Sequence, residues 1–256
     1  EGVGNLMTIY SCVTGKTDAE IEREFDGRGY ADFKLAVGEA LQCPTLLENG
    51  FGGHRIEGIG DKHVPWVHNV RNTDMVIDID DEDSQNLLRL FNSEEGHKYL
   101  KEVAGVPEAT IEQLSLLGIS GIANVLCCIK FAKYYELTGD DVVATVATDS
   151  AVMYESRVKE LNEQQGNYSL LTAARDFSEH LHGIRTDNMA ELTYADRKRV
   201  HNLKYYTWVE QQGKTVEELN AQWYDHDYWT GIHEQAKDLD KLITEFNART
   251  GVAEKI

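Results

Sequence analysis

The chain has 256 residues, of which 41% are hydrophobic and 27% charged, and its formal net charge is −19. A chain of this length can bury a substantial core in one or two domains. The negative charge disfavours nucleic acid as a partner, because such a surface repels phosphates. No apolar run approaches the roughly 20 residues that cross a bilayer. The four cysteines show neither disulfide nor zinc spacing. We therefore expect a globular cytoplasmic protein with no membrane or nucleic-acid partner.

Three apolar runs of strand length occur before residue 150. They are F-K-L-A-V-G-E-A (33–40), D-M-V-I-D-I-D (74–80) and D-V-V-A-T-V-A-T (141–148), and each has the composition of a buried strand. Helical patterns lie between the second and third runs. Because strands separated by helices usually pair in parallel, the sequence predicts an α/β fold with a partial parallel sheet flanked by helices.

Two of these helices have recognisable starts. Acidic residues 81–83 precede an apolar L-L-R-L-F segment, which suits the positive end of a helix dipole. Ser120 stands before G-I-A-N-V-L-C-C-I-K-F-A-K-Y-Y (121–135), where it is a candidate N-cap of a buried helix. Cys127 and Cys128 within that helix are expected to behave as small hydrophobic residues rather than nucleophiles.

The last hundred residues change character and indicate a helical C-terminal extension. One helix is predicted over 194–213, another starts at Thr215 with Glu218 in the capping-box position, and a third covers about 229–248. The sequence thus divides into a helical segment (1–34), an α/β region (35–154) and a helical extension (155–256).

The stretch H-R-I-E-G-I-G-D-K-H-V-P-W (54–66) concentrates histidines, charges and glycines. A metal site built from His54, His63, His68 and Asp61 lacks the paired spacing typical of zinc ligands. Gly-Ile-Gly also lacks the remaining pattern of a dinucleotide fingerprint. On these residues alone we favour a polar loop and predict no metal.

Two later motifs each allow a functional and a structural interpretation. L-L-G-I-S-G-I-A-N (116–124) either offers free helix N–H groups to an anion or uses its glycines for close packing. T-V-A-T-D-S-A (145–151) follows the third apolar run, where α/β sheets place ligands. Asp149 in that motif is equally suited to cap a helix.

The order of these motifs resembles that of fold-type II pyridoxal-phosphate enzymes, the group of cysteine synthase and the tryptophan synthase β subunit. E-G-I-G-D-K-H-V-P resembles the family's "GIG-x-x-x-x-P" loop, L-G-I-S-G-I-A-N its "GISSGAA" helix start, and V-A-T-D-S-A-V-M-Y its "PSSGERY" segment. V-G-E-A-L-Q-C-P-T-L-L is similar to its "VGVEP" strand and turn. The resemblance covers about 34–250, including the helical extension, which a bacterial subgroup of the family also carries.

The resemblance implies pyridoxal phosphate as cofactor and assigns roles to eight residues. Asp149 takes the position of the family's pyridine-facing serine, and its neighbours Thr148 and Ser150 are the alternatives for that role. Gly58, Gly60 and Asp61 would line the cofactor cleft, and Ser120 and Gly121 would brace it. An aspartate facing the ring nitrogen would keep that nitrogen protonated and strengthen the electron sink.

The family's Schiff-base lysine, "SGNTG"-like loop and "GTGGT" phosphate cup have no counterpart in this chain, and Lys62 lies in a different motif. The resemblance therefore implies a portion of an enzyme for β-elimination or β-replacement on a small amino acid. We expect it to be inactive alone, with no catalytic residue of its own, and to form a homo-oligomer or pair with the missing half. The alternative is a non-catalytic structural module or a chimeric protein that assembles with a separate chain.

Residues 1–34 resemble a different family. E-G-V-G-N-L-M-T-I-Y-S-C-V-T-G-K-T through Y-A-D-F-K is similar to the C-terminal helical region of bacterial tryptophanyl-tRNA synthetases, "GVSNLL…TG…EGKGYGDFK". The HIGH and KMSKS signatures of those enzymes are absent from the sequence. The net charge of −19 disfavours a role as a tRNA-binding appendage.

Overall fold

A computed structural model describes residues 15–24 and 34–252. A small sheet lies at its centre, with β1 (Ala36–Ala40) parallel to β2 (Met75–Ile79) and Ala36 opposite Met75. On the other edge of β2, β3 (Met189–Glu191) pairs antiparallel. The α/β class and the first two strands are confirmed. The antiparallel third strand departs from the partial parallel sheet of a fold-type II enzyme.

Helices make up most of the described chain. Their bounds, in chain order, are α1 (Asp18–Glu24), α2 (Thr45–Glu48), α3 (Asp81–Asn92), α4 (Glu94–Glu102), α5 (Glu108–Ile111), α6 (Ile119–Tyr134), α7 (Glu155–Gln165), α8 (Leu170–Asp176), α9 (Tyr194–Lys204), α10 (Val216–Tyr224), α11 (Tyr228–Glu234) and α12 (Ala236–Thr250). Single π-helical turns follow α8 and α9, at Phe177–His182 and Tyr205–Val209.

One face of the sheet packs against α3 and α6. Helix α3 begins where the sequence predicts, because the Asp80 carboxylate accepts the Glu82 N–H at 2.9 Å and acids fill the first turn. Helix α6 lies so close to β1 that a Cβ added to Gly38 would stand 2.8 Å from Cys127 Sγ. Cys127 therefore acts as a packing residue, and burial raises the pKa of its thiol to about 12.

A second, smaller core covers the opposite face of the sheet. Val76 from β2 packs there with Val200 from α9 and with Val64 and Val70 from the preceding loops. Arg197 of α9 also forms an ion pair of 2.7 Å with Asp74, directly before β2. This core attaches part of the helical extension to the sheet, while the division of the chain at residues 34 and 154 stays a prediction.

The predicted strand over 141–148 is wrong. Residues 141–148 are all exposed and belong to no ladder of the described sheet. Val146 is 66% exposed, and its carbonyl accepts the Asn124 side-chain amide at 2.9 Å. A run of valines forms a strand only where it pairs with a neighbouring strand, and among the described residues β1 pairs with β2 alone.

The helices predicted after residue 194 are confirmed in part. The one predicted over 194–213 is α-helical to Lys204 and continues as the π-helical turn Tyr205–Val209. Thr215 and Glu218 form the predicted capping box at the start of α10, and Gly251 ends α12 in the left-handed conformation, at φ 62°. The predicted helix over 229–248 is divided at Gln235 into α11 and α12. Within the described residues, no helix combines the length and the apolar character that crossing a membrane requires.

Candidate functional site

The glycine loop of residues 58–60 lies beside the carboxyl end of β1. Gly58 and Gly60 both have left-handed backbones, with φ of 89° and 95°, which residues with side chains adopt only with strain. A Cβ at Gly60 would lie 3.2 Å from the Ala40 side chain at the end of β1. The Gly60 carbonyl is also within 2.9 Å of His54 Nε2. The glycines thus allow a tight loop at the carboxyl end of the strand.

The start of α6 is buried and lacks a side-chain cap. Gly118, not Ser120, is the N-cap residue, so the predicted capping role of Ser120 is wrong. Ser120 instead lies in the first turn, 5% exposed, with its hydroxyl 2.7 Å from that of Thr148. Gly58 is also close, because a Cβ built on it would reach 4.0 Å from Ser120 Oγ.

The segment 148–150 reaches the same place through Asp149. Its carbonyl accepts the Gly118 N–H at 3.0 Å, and its carboxylate accepts the Tyr154 hydroxyl at 2.6 Å. Burial and the hydrogen bond to this carboxylate raise the pKa of Tyr154. We call Gly58, Ser120, Thr148 and Asp149 the three-loop cluster, since three separate segments supply them: the glycine loop, the start of α6 and the segment 148–150.

The other predicted site residues lie differently. Asp61 is turned away toward His63, whose backbone N–H it accepts at 2.9 Å. Gly121 faces Leu117 with room for a methyl group, at 3.5 Å. Ser150 opens the 3-10 turn Ala151–Tyr154 without capping it through its side chain. Sequence order alone could not indicate these side-chain directions, because neighbouring backbone and hydroxyl groups decide them.

The histidines considered as metal ligands are dispersed among separate partners. His54 contacts the Gly60 carbonyl, and His68 Nε2 lies 2.8 Å from the Thr73 hydroxyl. Burial and the nearby Lys204 charge lower the pKa of His68 to about 4. No group of three His, Cys, Asp or Glu side chains in the described part of the chain is placed to hold a metal ion.

The three-loop cluster combines donors and acceptors. Helix α6 has 16 residues, and the N–H groups of its first turn are not used within the helix. They form a positive dipole end beside the Ser120 hydroxyl. The Asp149 carboxylate supplies the opposite charge next to them. Together, the positive helix start and the Asp149 carboxylate can orient a small molecule that carries one negative and one positive group.

A second polar group was not indicated by the sequence. His180 Nδ1 lies 2.7 Å from the Asp83 carboxylate, and its Nε2 lies 3.1 Å from the Asn86 amide. Burial alone would lower the pKa of His180, but the hydrogen bond and charge of Asp83 raise it overall. Asp83 was interpreted only as part of a helix start, and no local signal places His180 beside it.

Replacing Gly118 with alanine is expected to destabilise the fold by about 1–3 kcal/mol. The new Cβ would stand 2.1 Å from Asp149 Oδ1 and 2.8 Å from the Tyr154 ring, so the cluster must rearrange. Urea unfolding measures the loss. Gly121→Ala in the same helix turn is the matched control, because its Cβ meets only ordinary contacts. Equal stability of the two variants would contradict the close approach at Gly118.

Comparison with known proteins connects the chain to tRNA ligases over short segments. A tryptophan–tRNA ligase of Malacoplasma penetrans is 55% identical over 48 residues, which are 19% of this chain and 14% of the ligase. Those of Oceanobacillus iheyensis and Listeria monocytogenes are 52% and 55% identical over 40 residues, covering 16% of this chain and 12% of each ligase. No family model matches the chain, and no solved structure matches it.

These findings correct the expectations drawn from the longer resemblance. The relatives belong to the class that residues 1–34 resemble, and nothing among them points to a fold-type II enzyme. The inferred pyridoxal-phosphate cofactor, the cysteine-synthase-like lyase chemistry and the β-elimination or β-replacement function are therefore wrong. The alternative of a structural or chimeric assembly module gains no support either. The exclusion of nucleic acid conflicts with relatives named as tRNA ligases.

Proposed function

We propose that the α/β part of the chain binds a small molecule with an anionic group and a hydrogen-bond donor at the three-loop cluster. The observation that carries the proposal is the 2.7 Å approach of the Ser120 and Thr148 hydroxyls at the buried, uncapped start of α6. A buried helix start without a cap leaves N–H groups whose desolvation is costly. A ligand that accepts those hydrogen bonds would be favoured there.

The charges at the cluster define the ligand further. An anionic group suits the N–H groups and the dipole at the start of α6. A donor such as an ammonium group suits the Asp149 carboxylate, since that carboxylate has one hydroxyl partner at 2.6 Å and a weaker one, Thr148, at 3.4 Å. The position beyond the carboxyl ends of parallel strands is where open α/β sheets bind ligands.

Calorimetric titration with single compounds tests this proposal. The panel contains glycine, L-tryptophan, acetate and methylamine, so that the two charges are present together or alone. We expect the zwitterions to bind at least ten times more tightly than either single-charge compound. Ser120→Ala and Thr148→Val should each weaken binding, while Thr244→Val on the exposed face of α12 serves as the control. Absence of saturable binding, or equal loss in the control, would refute the proposal.

A second candidate function is association with tRNA, which the ligase relatives favour. The segment likened to these enzymes contains Lys16, Arg23, Arg28 and Lys34, and cationic residues supply most of the affinity for phosphates. The chain covers no more than 14% of the length of the relatives named above. Their aminoacylation activity is therefore not proposed for it.

Gel-shift titration of bulk tRNA with the full chain at low ionic strength tests this second candidate. We expect binding that weakens as salt increases and that falls in an Arg23→Gln/Arg28→Gln variant. Lys237→Gln/Lys241→Gln, which removes the same charge from α12, should bind like the unaltered chain. If no shift appears at low salt, or if both double variants lose binding equally, association through this segment is wrong.

A further inference from the structure

We propose that a cavity separate from the three-loop cluster binds a nucleoside monophosphate. This cavity of about 350 Å³ lies between the loop after α2 and the π-helical turn after α9. Its volume falls in the range of small-molecule sites. The lining residues that matter for recognition are Asn49, Phe51, Lys62, His63, Tyr206 and Gln211.

Two aromatic side chains at this cavity are strongly exposed. Phe51 is 71% exposed and Tyr206 is 59% exposed, so neither gains much from burial within the chain. Tyr206 is held edge-on to Tyr205, with ring centroids 5.8 Å apart. Exposed aromatic faces are surfaces on which the bases of nucleotides stack, a contact that does not depend on base identity.

The backbone that carries Tyr206 is unusual. Tyr205–Val209 forms a π-helical turn, a rare distortion that occurs frequently at functional sites. It turns the exposed side of the helix toward the cavity at Tyr206 and Thr207. A regular α-helix would direct these two residues differently, so the distortion shapes the wall of the cavity.

Lys62 supplies a positive charge at the cavity, although the net charge of the chain is −19. Lys62 and His63 line it, and no carboxylate does. Asp61 lies next in sequence, and its carboxylate faces His63: it accepts the backbone N–H at 2.9 Å and lies 3.4 Å from the imidazole Nδ1. No ion pair of Lys62 exists among the described residues. A phosphate group placed here would meet a cation without an acidic neighbour in the lining, whereas a metal cation would lack ligands.

Hydrogen bonds within the chain hold the polar rim of the cavity. Asn49 adopts a left-handed backbone at φ 57°, and its side-chain oxygen accepts a hydrogen bond from Arg199. Arg199 also donates to the Leu46 carbonyl at 2.8 Å. Thr45 Oγ1 donates to the Gly50 carbonyl at 3.0 Å, which fixes the same loop. The amides of Asn49 and Gln211 are thus available to hydrogen-bond the edge of a stacked base.

Fluorescence and calorimetric titrations with AMP, GMP, CMP and UMP, each beside its nucleoside, test the proposal. We expect saturable binding of at least one monophosphate, with its nucleoside at least tenfold weaker. Lys62→Gln should remove most of that difference. Phe51→Ala/Tyr206→Ala should weaken both ligands at least tenfold, whereas Tyr206→Phe, which keeps the ring, should bind normally. Lys159→Gln and Phe246→Ala change exposed residues elsewhere and are the matched controls.

The outcomes decide the proposal in either direction. Failure of all four monophosphates to bind would overturn it, as would equal affinity for nucleoside and monophosphate. Equal weakening in the control variants would also overturn it, because the effect would then not come from the cavity. Since the cavity shares no lining residue with the three-loop cluster, Ser120→Ala should leave nucleotide binding unchanged. Loss of amino-acid binding therefore cannot be confused with loss of nucleotide binding.

Discussion

Replacing Lys204 with methionine is expected to make the protein about 2–3 kcal/mol less stable at pH 10. Lys204 is fully buried, and its amine donates to the Trp66 and His68 carbonyls at 2.9 and 2.7 Å and to the Gln222 side chain at 2.8 Å. At pH 10 the amine is deprotonated and has two N–H groups to share among these three acceptors. Methionine fills the space but removes both donors. Each unsatisfied acceptor costs about 1 kcal/mol or more. This cost is larger than the stabilisation that the apolar contacts of methionine add.

The same substitution should change how stability depends on pH. Burial lowers the pKa of Lys204 to about 7, from 10.5. Between these values the unfolded chain binds a proton that the folded chain has released, so stability rises with pH across this window. The full rise is on the order of 5 kcal/mol. Below pH 7 both states are protonated, and the penalty of burying the charge is complete and constant.

Guanidinium unfolding at several pH values between 6 and 10.5 checks both effects. The difference in unfolding free energy between the unaltered chain and Lys204→Met should grow with pH. Lys159→Met is the control, because the Lys159 side chain is 79% exposed and its removal should leave the profile unchanged. Parallel profiles for all three proteins would show that Lys204 is not held in a desolvated state.

The sequence was informative where one chain segment determines its own structure. The apolar runs at 33–40 and 74–80 became β1 and β2, and the capping box at Thr215 formed as predicted. The strand at 141–148 did not form, because pairing depends on a distant edge and not on local composition. The three residues of β3 contain no apolar run, and only the free edge of β2 makes Met189–Glu191 a strand.

The candidate site could likewise be predicted only in part. The family resemblance implied one cleft for Gly58, Ser120 and Thr148. The structure brings the Ser120 and Thr148 hydroxyls to 2.7 Å and Gly58 close to Ser120, while a role of these residues in a binding site stays a prediction. The direction of each side chain could not be predicted. Asp149 turns to Tyr154 and Asp61 to His63 because of partners that the motifs do not contain. The relatives contradict the family resemblance that grouped these motifs, so the proximity of the residues is no support for pyridoxal-phosphate chemistry.

A pair of buried acids at the centre of the sheet leads to the second large effect. Glu39 and Asp78 are register partners on β1 and β2 and are 3% and 1% exposed. Glu39 accepts the Leu46 and Leu47 N–H groups at 3.0 and 2.8 Å, which favours its charged form. The Asp78 oxygens have no N–H or hydroxyl donor. Two such carboxyls can hydrogen-bond each other only when one carries a proton, and the contacts place that proton on Asp78.

Asp78→Asn is therefore expected to stabilise the protein at neutral and alkaline pH. Desolvation and the Glu39 charge raise the pKa of Asp78 above its ordinary value of 3.8. From about pH 4 upward the folded state holds a proton that the unfolded state has released, so stability falls as pH rises. Asparagine keeps the shape and supplies a permanent N–H donor to Glu39, which removes this dependence. The expected gain at pH 8 is on the order of 3 kcal/mol.

Urea unfolding of Asp78→Asn and the unaltered chain from pH 5 to 8 measures this gain. Asp238→Asn is the control, since the Asp238 side chain is 78% exposed and its charge contributes little. The profiles should converge toward pH 5 and diverge as pH rises, which is opposite in sign to the Lys204 dependence on the alkaline side. If Asp78→Asn is less stable than the unaltered chain at pH 8, Asp78 is ionised in the fold. Lys130, whose ammonium donates to the Asp78 carbonyl at 2.9 Å, would then be the group that stabilises the charge.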